Sequence, residues 1–267
     1  KYGLRDWRGG GRASARETVG RVAAGAIARK ILASSGVEIA GHVRQIGDIK
    51  FQFSMFNFQS NTTVQFSKSR IQAFREKVED NIVRCPDEAI SKKMIALIEQ
   101  VRKEGDSVGG VVEVVAFGAP AGLGEPVFDK LSADIMKALG SIPAVKGVEI
   151  GSGFKCAAMR GSEHNDVFTP PYEGWVRGGL TTKTNNAGGI LGGISNGMPI
   201  VARIAIKPAS SISREQETVD SDGKPRTIRV YGRHDPCVVP RAVPIAESML
   251  ALVLADHWLR QRASKLD

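Results

Sequence analysis

The sequence predicts an α+β fold built as one domain over residues 1–267. Helical and strand-like segments both occur, but they do not alternate strictly, which disfavours a doubly wound parallel sheet. Hydrophobic residues make up 42% of the chain and charged residues 24%, which suits a folded protein with a sizeable core. We find no interdomain linker and no tandem repeat, so a single domain is the simplest organisation.

The first elements are a helix and a strand. Residues 15–32 have apolar residues at helical spacing, and residues 37–43 alternate as a strand. Residues 48–70 are rich in Phe, Gln, Asn and Ser without a clear period, and we interpret them as a long excursion. The helical spacing predicts one buried face on the first helix, formed by Val19, Val22, Ala23, Ala26, Ile27 and Ile31.

The middle of the chain predicts two helices and two strands. A helix over residues 87–103 is stopped by Gly105-Asp106, and the apolar run over 110–117 is typical of a buried strand. A third helix is marked from Phe128 to Gly140, and a further strand follows over residues 145–150.

The last part of the chain predicts a strand, a polar hairpin and a long helix. Residues 161–184 are polar and contain Gly and Pro, which favours a loop. Residues 200–206 alternate perfectly as a strand, and 213–225 resemble a hairpin tip before a strand at 227–231. A helix over residues 241–261 places its apolar side inward, including Leu250, Val253, Leu254 and Trp258.

Positive charge is concentrated at the start of the chain. The formal net charge is +9, and residues 1–30 hold eight Lys and Arg residues against two acidic ones. This surplus leaves a basic nucleic-acid-binding module open as an alternative function. Two features argue against it: aromatic residues are only 6% of the chain, and the Arg-rich run continues directly into a helical pattern.

Composition also limits location and metal binding. The three cysteines are far apart and have no metal-ligand spacing, which favours free thiols in a reducing, cytoplasmic environment. No run of about 18 apolar residues suggests a membrane span, and the start of the chain has no secretory signal pattern. The chain begins at Lys1, and we therefore expect a segment upstream of it in the whole protein.

One motif suggests a serine hydrolase. Gly193-Ile194-Ser195-Asn196-Gly197 matches the nucleophile-elbow pattern, and Asp220 and His234 follow in a permitted order. The elbow requires a strand before it and a helix after it, whereas Met198-Pro199 leads into a strand. The hydrolase interpretation is therefore disfavoured. The chain also has neither a Rossmann Gly-x-Gly-x-x-Gly pattern nor a P-loop.

Three local groupings could bind an anion or a flat ligand. Arg12, Ser14 and Arg16 lie at the N-terminal end of the first helix, where free backbone N–H groups and the positive end of the helix dipole favour anions. The residues around Gly192 form a Gly-rich loop, and residues 207–211 combine Lys207 with two hydroxyl groups at a strand end. Taken alone, the Gly-rich loop is better explained as a turn between strands, and residues 207–211 are equally well explained as a turn that ends a strand.

A fourth grouping carries titratable chemistry. Residues 232–236 combine Arg233, His234 and Asp235 in a bend before the last helix. A His-Asp pair alone is often only a capping arrangement, but three functional types together favour a site. The other histidines, His42, His164 and His257, have no partner in sequence and receive no role.

Six segments in this order make the chain resemble the chorismate synthase family. Each motif is modestly specific, but the ordered set is very specific and covers the chain from Lys1 to the final helix, weakening at 48–85 and 161–184. The segments are residues 10–18, 121–126, 144–149, 186–189, 207–208 and 232–236.

The resemblance implies an activity and an architecture. The family converts 5-enolpyruvylshikimate 3-phosphate into chorismate and inorganic phosphate by an anti-1,4-elimination that needs reduced FMN without net redox change. The implied fold is a β-α-β sandwich, in which antiparallel sheets enclose a layer of helices, and the implied assembly is a homotetramer that binds neither nucleic acid nor membrane. Whether the protein reduces its own flavin, with NADP as the associated nucleotide, stays open.

The resemblance also implies site residues. Arg16 and Ser14 would contact the substrate, and Asp235 would lie near the flavin nitrogen that accepts the departing hydrogen, with Arg233 beside it as a second catalytic group. The implied FMN-binding residues are Arg12, Ala13, Ser14, Pro143, Ala144, Gly192, Lys207, Pro208, Ala209, Ser210, Ser211 and Arg233.

The chain departs from the family pattern at three places. Ala13 replaces a Ser and Pro143 replaces an Asn that many members have, so contacts at these positions would use the main chain. Neither of the family's two His motifs, which supply its general acids, occurs in residues 1–267. General acid catalysis typically contributes about 10²–10⁴-fold, so we expect this chain by itself to be severely impaired in turnover.

Overall fold

A five-stranded antiparallel sheet forms the centre of the structure, a computed structural model that describes residues 3–4, 15–52, 68–169, 181–232 and 234–264. The strand order is β2-β1-β3-β9-β4, and the remaining strands form three two-stranded ribbons. The α+β class with antiparallel sheets is confirmed. The helices are α1 (Thr18–Ala33), α2 (Lys68–Glu79), α3 (Glu88–Lys103), α4 (Leu131–Gly140), α5 (Gly161–His164) and α6 (Val239–Ser264). The strands are β1 (Glu38–Ile46), β2 (Ile49–Lys50), β3 (Gly110–Phe117), β4 (Val145–Ile150), β5 (Phe168–Thr169), β6 (Thr181–Thr182), β7 (Ile190–Leu191), β8 (Ile194–Ser195), β9 (Ile200–Ile206), β10 (Gln216–Val219) and β11 (Pro225–Ile228).

One face of the sheet, here called the inner face, is apolar and covered by helices. α6 lies against β1 and β3 with Leu250 and Leu254 fully buried, and α1 and α4 pack beside it. Full burial of a side chain of this size stabilises the fold by roughly 1.5–3 kcal/mol. The perfect alternation of β9 is confirmed, since alternate residues of β3 and β9 lie in this core: Val112, Val114, Ala116, Ile200, Ala202 and Ile204.

The first helix forms as predicted, but its predicted buried face is wrong. Val19 and Ile27 are 70% and 65% exposed, whereas Gly25, Ala28 and Leu32 are buried. The reason is a close crossing with α6, where a Cβ atom added to Gly25 would lie only 2.3 Å from the Cβ of Ser248. The small residue permits this approach, and α1 turns its Gly25 side toward α6 instead of its longest apolar stripe.

The opposite, outer face of the sheet is partly covered by α2, which the sequence did not predict. Ile71, Phe74 and Val78 of α2 form a small second core with residues of β1, β3 and β9. Part of the predicted excursion over 48–70 is therefore strand β2 and the first residues of α2. Residues 53–67 of that excursion lie outside the described residues.

The outer face also carries a row of polar residues across four strands. His42, Glu113, Arg203 and Glu149 are register partners on β1, β3, β9 and β4. One carboxylate oxygen of Glu113 lies 3.2 Å from both Arg203 and Arg44, which offsets the cost of burying its charge. Burial lowers the pKa of His42 to about 4, so its ring is neutral at neutral pH and contacts Glu113 only at 3.9 Å.

The remaining elements match the predictions with shifted bounds. The third helix begins at Leu131 rather than Phe128, and α6 extends to Ser264. The predicted polar hairpin is the ribbon of β10 and β11. The predicted loop over 161–184 contains only short pieces, α5, β5 and β6, and residues 170–180 lie outside the described residues.

One helix in the described ranges is long and apolar enough to cross a membrane by length and composition alone. It is α6, with 26 residues and a mean hydropathy of 1.3 in its most apolar stretch. The sequence alone suggested no such segment, because charged and polar residues interrupt the run. Half of that stretch is buried inside the fold, where α6 forms the centre of the core.

Candidate functional site

Several loops meet at one end of the central sheet, here called the loop end. It is the end at which β3 and β4 begin and β9 finishes at Ile206. The segment before α6 reaches the same place, because the backbone N–H of Val108 donates to the carbonyl of Pro236 at 2.8 Å. The opposite end of the sheet carries the ribbon of β7 and β8, and we call it the hairpin end.

The start of α1 also lies at the loop end. The guanidinium of Arg21 donates to the hydroxyl of Ser141 at 2.6 Å and to its carbonyl at 3.3 Å. Ser141 follows α4 directly and precedes β4, so this contact holds the first turn of α1 beside residues 143–145. Arg16, exposed in the short 3₁₀ turn Ala15–Glu17, is thereby brought to the loop end.

Two predicted anion-binding segments, residues 143–144 and 207–211, are adjacent in the structure. The backbone N–H of Lys207 donates to the carbonyl of Ala144 at 2.9 Å, which joins the start of β4 to the end of β9. Ala144 has a φ of +69°, unusual for a residue with a side chain, in the turn that enters β4. Lys207 Nζ donates a hydrogen bond to the hydroxyl of Ser210, so a cation and a hydroxyl group lie next to each other in this segment.

The bend before α6 supplies the remaining described site residue. Asp235 accepts a hydrogen bond from Arg241 at 2.5 Å, and the ring of His234 lies 3.1 Å from the carbonyl of Val230. Burial raises the pKa of the neighbouring Cys237 thiol to about 11. This part of the site therefore contains the hydrogen-bonded pair of Asp235 and Arg241 and, at neutral pH, a protonated thiol.

Two groups of predicted site residues remain, of which only Gly192 is described. Arg12, Ala13, Ser14 and Arg233 lie outside the described residues. Gly192 lies at the hairpin end, separated from Lys207 by the length of β9, roughly 20 Å for a seven-residue strand. Its φ is +59°, and nothing described lies within 4 Å of a Cβ atom added there.

A segment that sequence reasoning overlooked joins the loops of this site. Residues 105–109 were interpreted only as the end of α3, but Ser107 donates its hydroxyl to the carbonyl of Ala209 at 2.6 Å. Asp106 forms an ion pair with Arg214 at 2.9 Å, and its hydrogen bonds, first from the N–H of Ser107 and then from Arg214, lower the pKa of its carboxyl. The available signal was an Asp-Ser pair set between glycines directly before a buried strand.

Ser195, the suggested hydrolase nucleophile, has a structural environment. It is buried, donates to the carbonyl of Pro120 at 2.6 Å and accepts from the N–H of Leu123 at 2.8 Å. Asp220 lies in the turn between β10 and β11. Its carboxylate accepts hydrogen bonds from the side chain of Arg226 and from the backbone N–H of Lys224. These contacts leave no triad geometry around Ser195.

The fold and the loop end together define an α+β protein in which two predicted anion-binding segments, residues 143–144 and 207–211, meet at one end of an antiparallel sheet. Comparison with known proteins makes this specific. The family model described as "Chorismate synthase" matches residues 1–259. The chain belongs to the chorismate synthase family.

Individual relatives agree. The chain is 55% identical over its whole length to a chorismate synthase of Chloroflexus aggregans, of which it covers 67%. It is 56% identical over 98% of its length to one from Synechococcus elongatus, of which it covers 68%. A crystal structure titled as that of chorismate synthase is similar with a TM-score of 0.74 and 34% identity, over 93% of this chain and 65% of that one. This chain thus spans about two thirds of the length of such relatives.

The nucleic-acid alternative gains no support from these comparisons. Two of the three basic residues in the first helix also have partners within the fold. Arg21 contacts Glu17 and Ser141, and Arg29 contacts Glu247 and the carbonyl of Ile39. Part of the positive charge at the start of the chain therefore serves packing of α1.

Proposed function

We propose that this chain forms the cofactor-binding and substrate-binding core of a chorismate synthase. The enzyme is a carbon–oxygen lyase that converts 5-enolpyruvylshikimate 3-phosphate into chorismate and phosphate with reduced FMN. The observation that carries the proposal is the meeting of residues 143–144, 207–211 and 235–236 at the loop end, although they are far apart in sequence.

The residues at the loop end fit a phosphorylated flavin. Lys207 with Ser210 and Ser211 offers one cation and two hydroxyl groups, a donor set that suits a phosphate group. The N-terminal ends of α1 and α6 face the same region and add the positive ends of two helix dipoles. Pro143 and Ala144 would contact the ligand through their main chain. The replacement of the family's Asn by Pro143 would therefore not affect this contact.

The resemblance adds residues to this set as part of the proposal. Arg12, Ala13, Ser14 and Arg233 would complete the binding of FMN, and Arg16 with Ser14 would contact the substrate. Arg233 and Asp235 would act at the reacting centre. The resemblance also implies Gly192, but this residue lies at the hairpin end, so the geometry of the loop end gives its role in FMN binding no support.

The elimination breaks one C–H and one C–O bond, forms a C=C bond and releases phosphate and a proton. Arg16 would stabilise the negative charge that grows on the leaving phosphate, an effect that is strongest where water is excluded. Asp235 would lie near the flavin nitrogen that would accept the departing hydrogen, and Arg241 holds its carboxylate in place. Reduced FMN, when bound, supplies electron density to the reacting carbon framework and recovers it, so the reaction has no net redox change.

Binding is a better test of this chain than turnover. None of its four histidines lies in either of the family's His motifs. His42 and His257 are also buried in the core, away from the loops of the site. Reduced FMN should nevertheless bind to residues 1–267 through the described site.

We predict that Lys207→Ala weakens the binding of FMN to this chain by about tenfold or more. A hydrogen bond to a charged group contributes about 1.5–3 kcal/mol, which sets this scale. Anaerobic titration of reduced FMN, followed by its absorbance, measures the change. Lys155→Ala removes one exposed lysine at the hairpin end and serves as the matched control. Equal affinities for the two variants would contradict the proposed site.

Assembly and location belong to the same proposal. The resemblance supports a homotetramer, a cytoplasmic location and a single domain over residues 1–267. Sedimentation equilibrium would test the tetramer directly.

A further inference from the structure

We propose that Ser107 is a positioning residue, which sets the conformation of residues 207–211 through its hydrogen bond to Ala209. The inference deepens the proposed function, because these residues are the proposed phosphate-binding segment. Ser107 itself need not contact cofactor or substrate.

The segment after β9 needs such support because the sheet no longer holds it. The last ladder contact of the strand is followed by the bond from Lys207 N–H to Ala144. The next fixed point is the carbonyl of Ala209, which accepts the hydroxyl of Ser107 at 2.6 Å. Lys207 and Ser210 lie on either side of this fixed point, so their functional groups depend on it.

A third fixed point closes the segment. The N–H and the hydroxyl of Ser213 both donate to the carbonyl of Gly105, at 3.1 and 3.2 Å. Gly105 has a φ of +70°, and a Cβ atom there would lie 2.6 Å from the hydroxyl of Ser213, so the approach needs glycine. The adjacent ion pair of Asp106 with Arg214 holds the same two segments together at the surface.

The hydrogen bond from Ser107 to Ala209 anchors the middle of residues 207–213. Its two neighbours along residues 207–213, at Lys207 and Ser213, each include a backbone hydrogen bond that a side-chain substitution does not remove. The hydroxyl of Ser107 can be removed by itself. Without it, the four residues between Pro208 and Ser213 would have no described tie to residues 105–109 and would sample more conformations.

Hydrogen exchange tests the inference without requiring cofactor. In residues 1–267, Ser107→Ala should speed exchange of the backbone N–H groups of Lys207 and Ser213 by about fivefold, the scale of one lost hydrogen bond. Ser107→Thr keeps the hydroxyl and should restore the slow rate. The matched control is Ser91→Ala, which removes a hydroxyl-to-carbonyl bond of 2.9 Å at the far end of α3.

Titration of reduced FMN provides the second readout. Ser107→Ala should weaken binding several-fold, Ser107→Thr should restore it, and Ser91→Ala should leave it unchanged. Unchanged exchange at residues 207–213 in Ser107→Ala, or an equal change in Ser91→Ala, would overturn the positioning role. Faster exchange together with no FMN binding by the unmodified chain would support the positioning role and count instead against the proposed function.

Discussion

The two ends of the central sheet differ in the side chains that they expose. At the loop end, Lys207, Ser210 and Asp235 present polar groups at partly or fully exposed positions. At the hairpin end, the polar groups of Ser195 are turned inward and the exposed side chains include apolar Phe128 and Leu191. The first end is the one for which we propose an anionic ligand, whereas the second stabilises the connection between β3, α4 and β9.

Helix direction explains part of this difference. α1 and α6 both begin at the loop end, where their dipoles favour anions. α6 finishes at the hairpin end, where Gln261 donates to the carbonyl of Ala121 and Arg260 forms an ion pair with Asp129 at 3.4 Å. The start of α6 thus favours negative charge at the loop end. At the hairpin end, the side chains of its last turns bind neighbouring loops.

The largest expected contrast between the ends concerns two thiols. Cys237 is partly buried at the loop end with its pKa raised to about 11, whereas Cys156 is exposed at the hairpin end. The thiolate is the reactive form, and at pH 8 a pKa of 11 leaves about one thiolate in a thousand. We predict that iodoacetamide modifies Cys156 on the order of a hundredfold faster than Cys237, measured by peptide mass spectrometry.

The rate at which Cys237 is modified should rise with pH. The thiolate fraction of Cys237 rises about tenfold per pH unit below its pKa, so its modification should accelerate between pH 8 and pH 10. Cys156→Ser should remove the fast reaction and leave the slow one. Rapid modification of Cys237 at pH 8 would show that the loop end is more open than the structure indicates.

A smaller effect is expected at Ser195, whose substitution should change the stability of the fold but not the binding of FMN. Ser195→Ala leaves the carbonyl of Pro120 and the N–H of Leu123 without their buried partner, which should lower the free energy of unfolding by about 2 kcal/mol. Urea denaturation measures this change. Affinity for reduced FMN at a temperature where the variant is folded should stay unchanged.

An exposed serine controls for the loss of the hydroxyl group itself. Ser34→Ala removes a bond to the carbonyl of Ile31 after the end of α1 and should cost less than about 1 kcal/mol. Equal losses for Ser34→Ala and Ser195→Ala would mean that the hairpin end is not held by the buried hydrogen bonds of Ser195.

Local patterns in the sequence predicted the elements of the fold well. The alternation of β9 and the helical spacing of α3 and α6 are set by burial on one side, and burial leaves a readable period. The buried face of α1 could not be predicted, because it depends on the contact between Gly25 and Ser248, which are distant in sequence. α2 was missed because its apolar residues are few and the residues before it have no period.

The site was predictable to the extent that its chemistry is local. Lys207 with Ser210 and Ser211, and the bend at Asp235, could be recognised as charged groups at strand and helix ends. Their meeting at one end of the sheet could be expected only through the family resemblance. Ser107 was missed because its role lies in a single contact with Ala209, and no pattern within residues 105–109 indicates that partner.

The smallest expected effect concerns Gly192, whose position most directly tests the difference between the ends. Gly192→Ala introduces a side chain at a φ of +59° into open space, so strain alone should lower the free energy of unfolding by about 1 kcal/mol. From its place at the hairpin end we expect affinity for reduced FMN to remain within twofold of that of the unmodified chain. Gly223→Ala, also at positive φ and in open space at the tip of β10 and β11, is the matched control. A tenfold loss of affinity in Gly192→Ala alone would show that the hairpin end does reach the cofactor, as the family resemblance implies, and the separation of a binding end from a scaffold end would then be wrong.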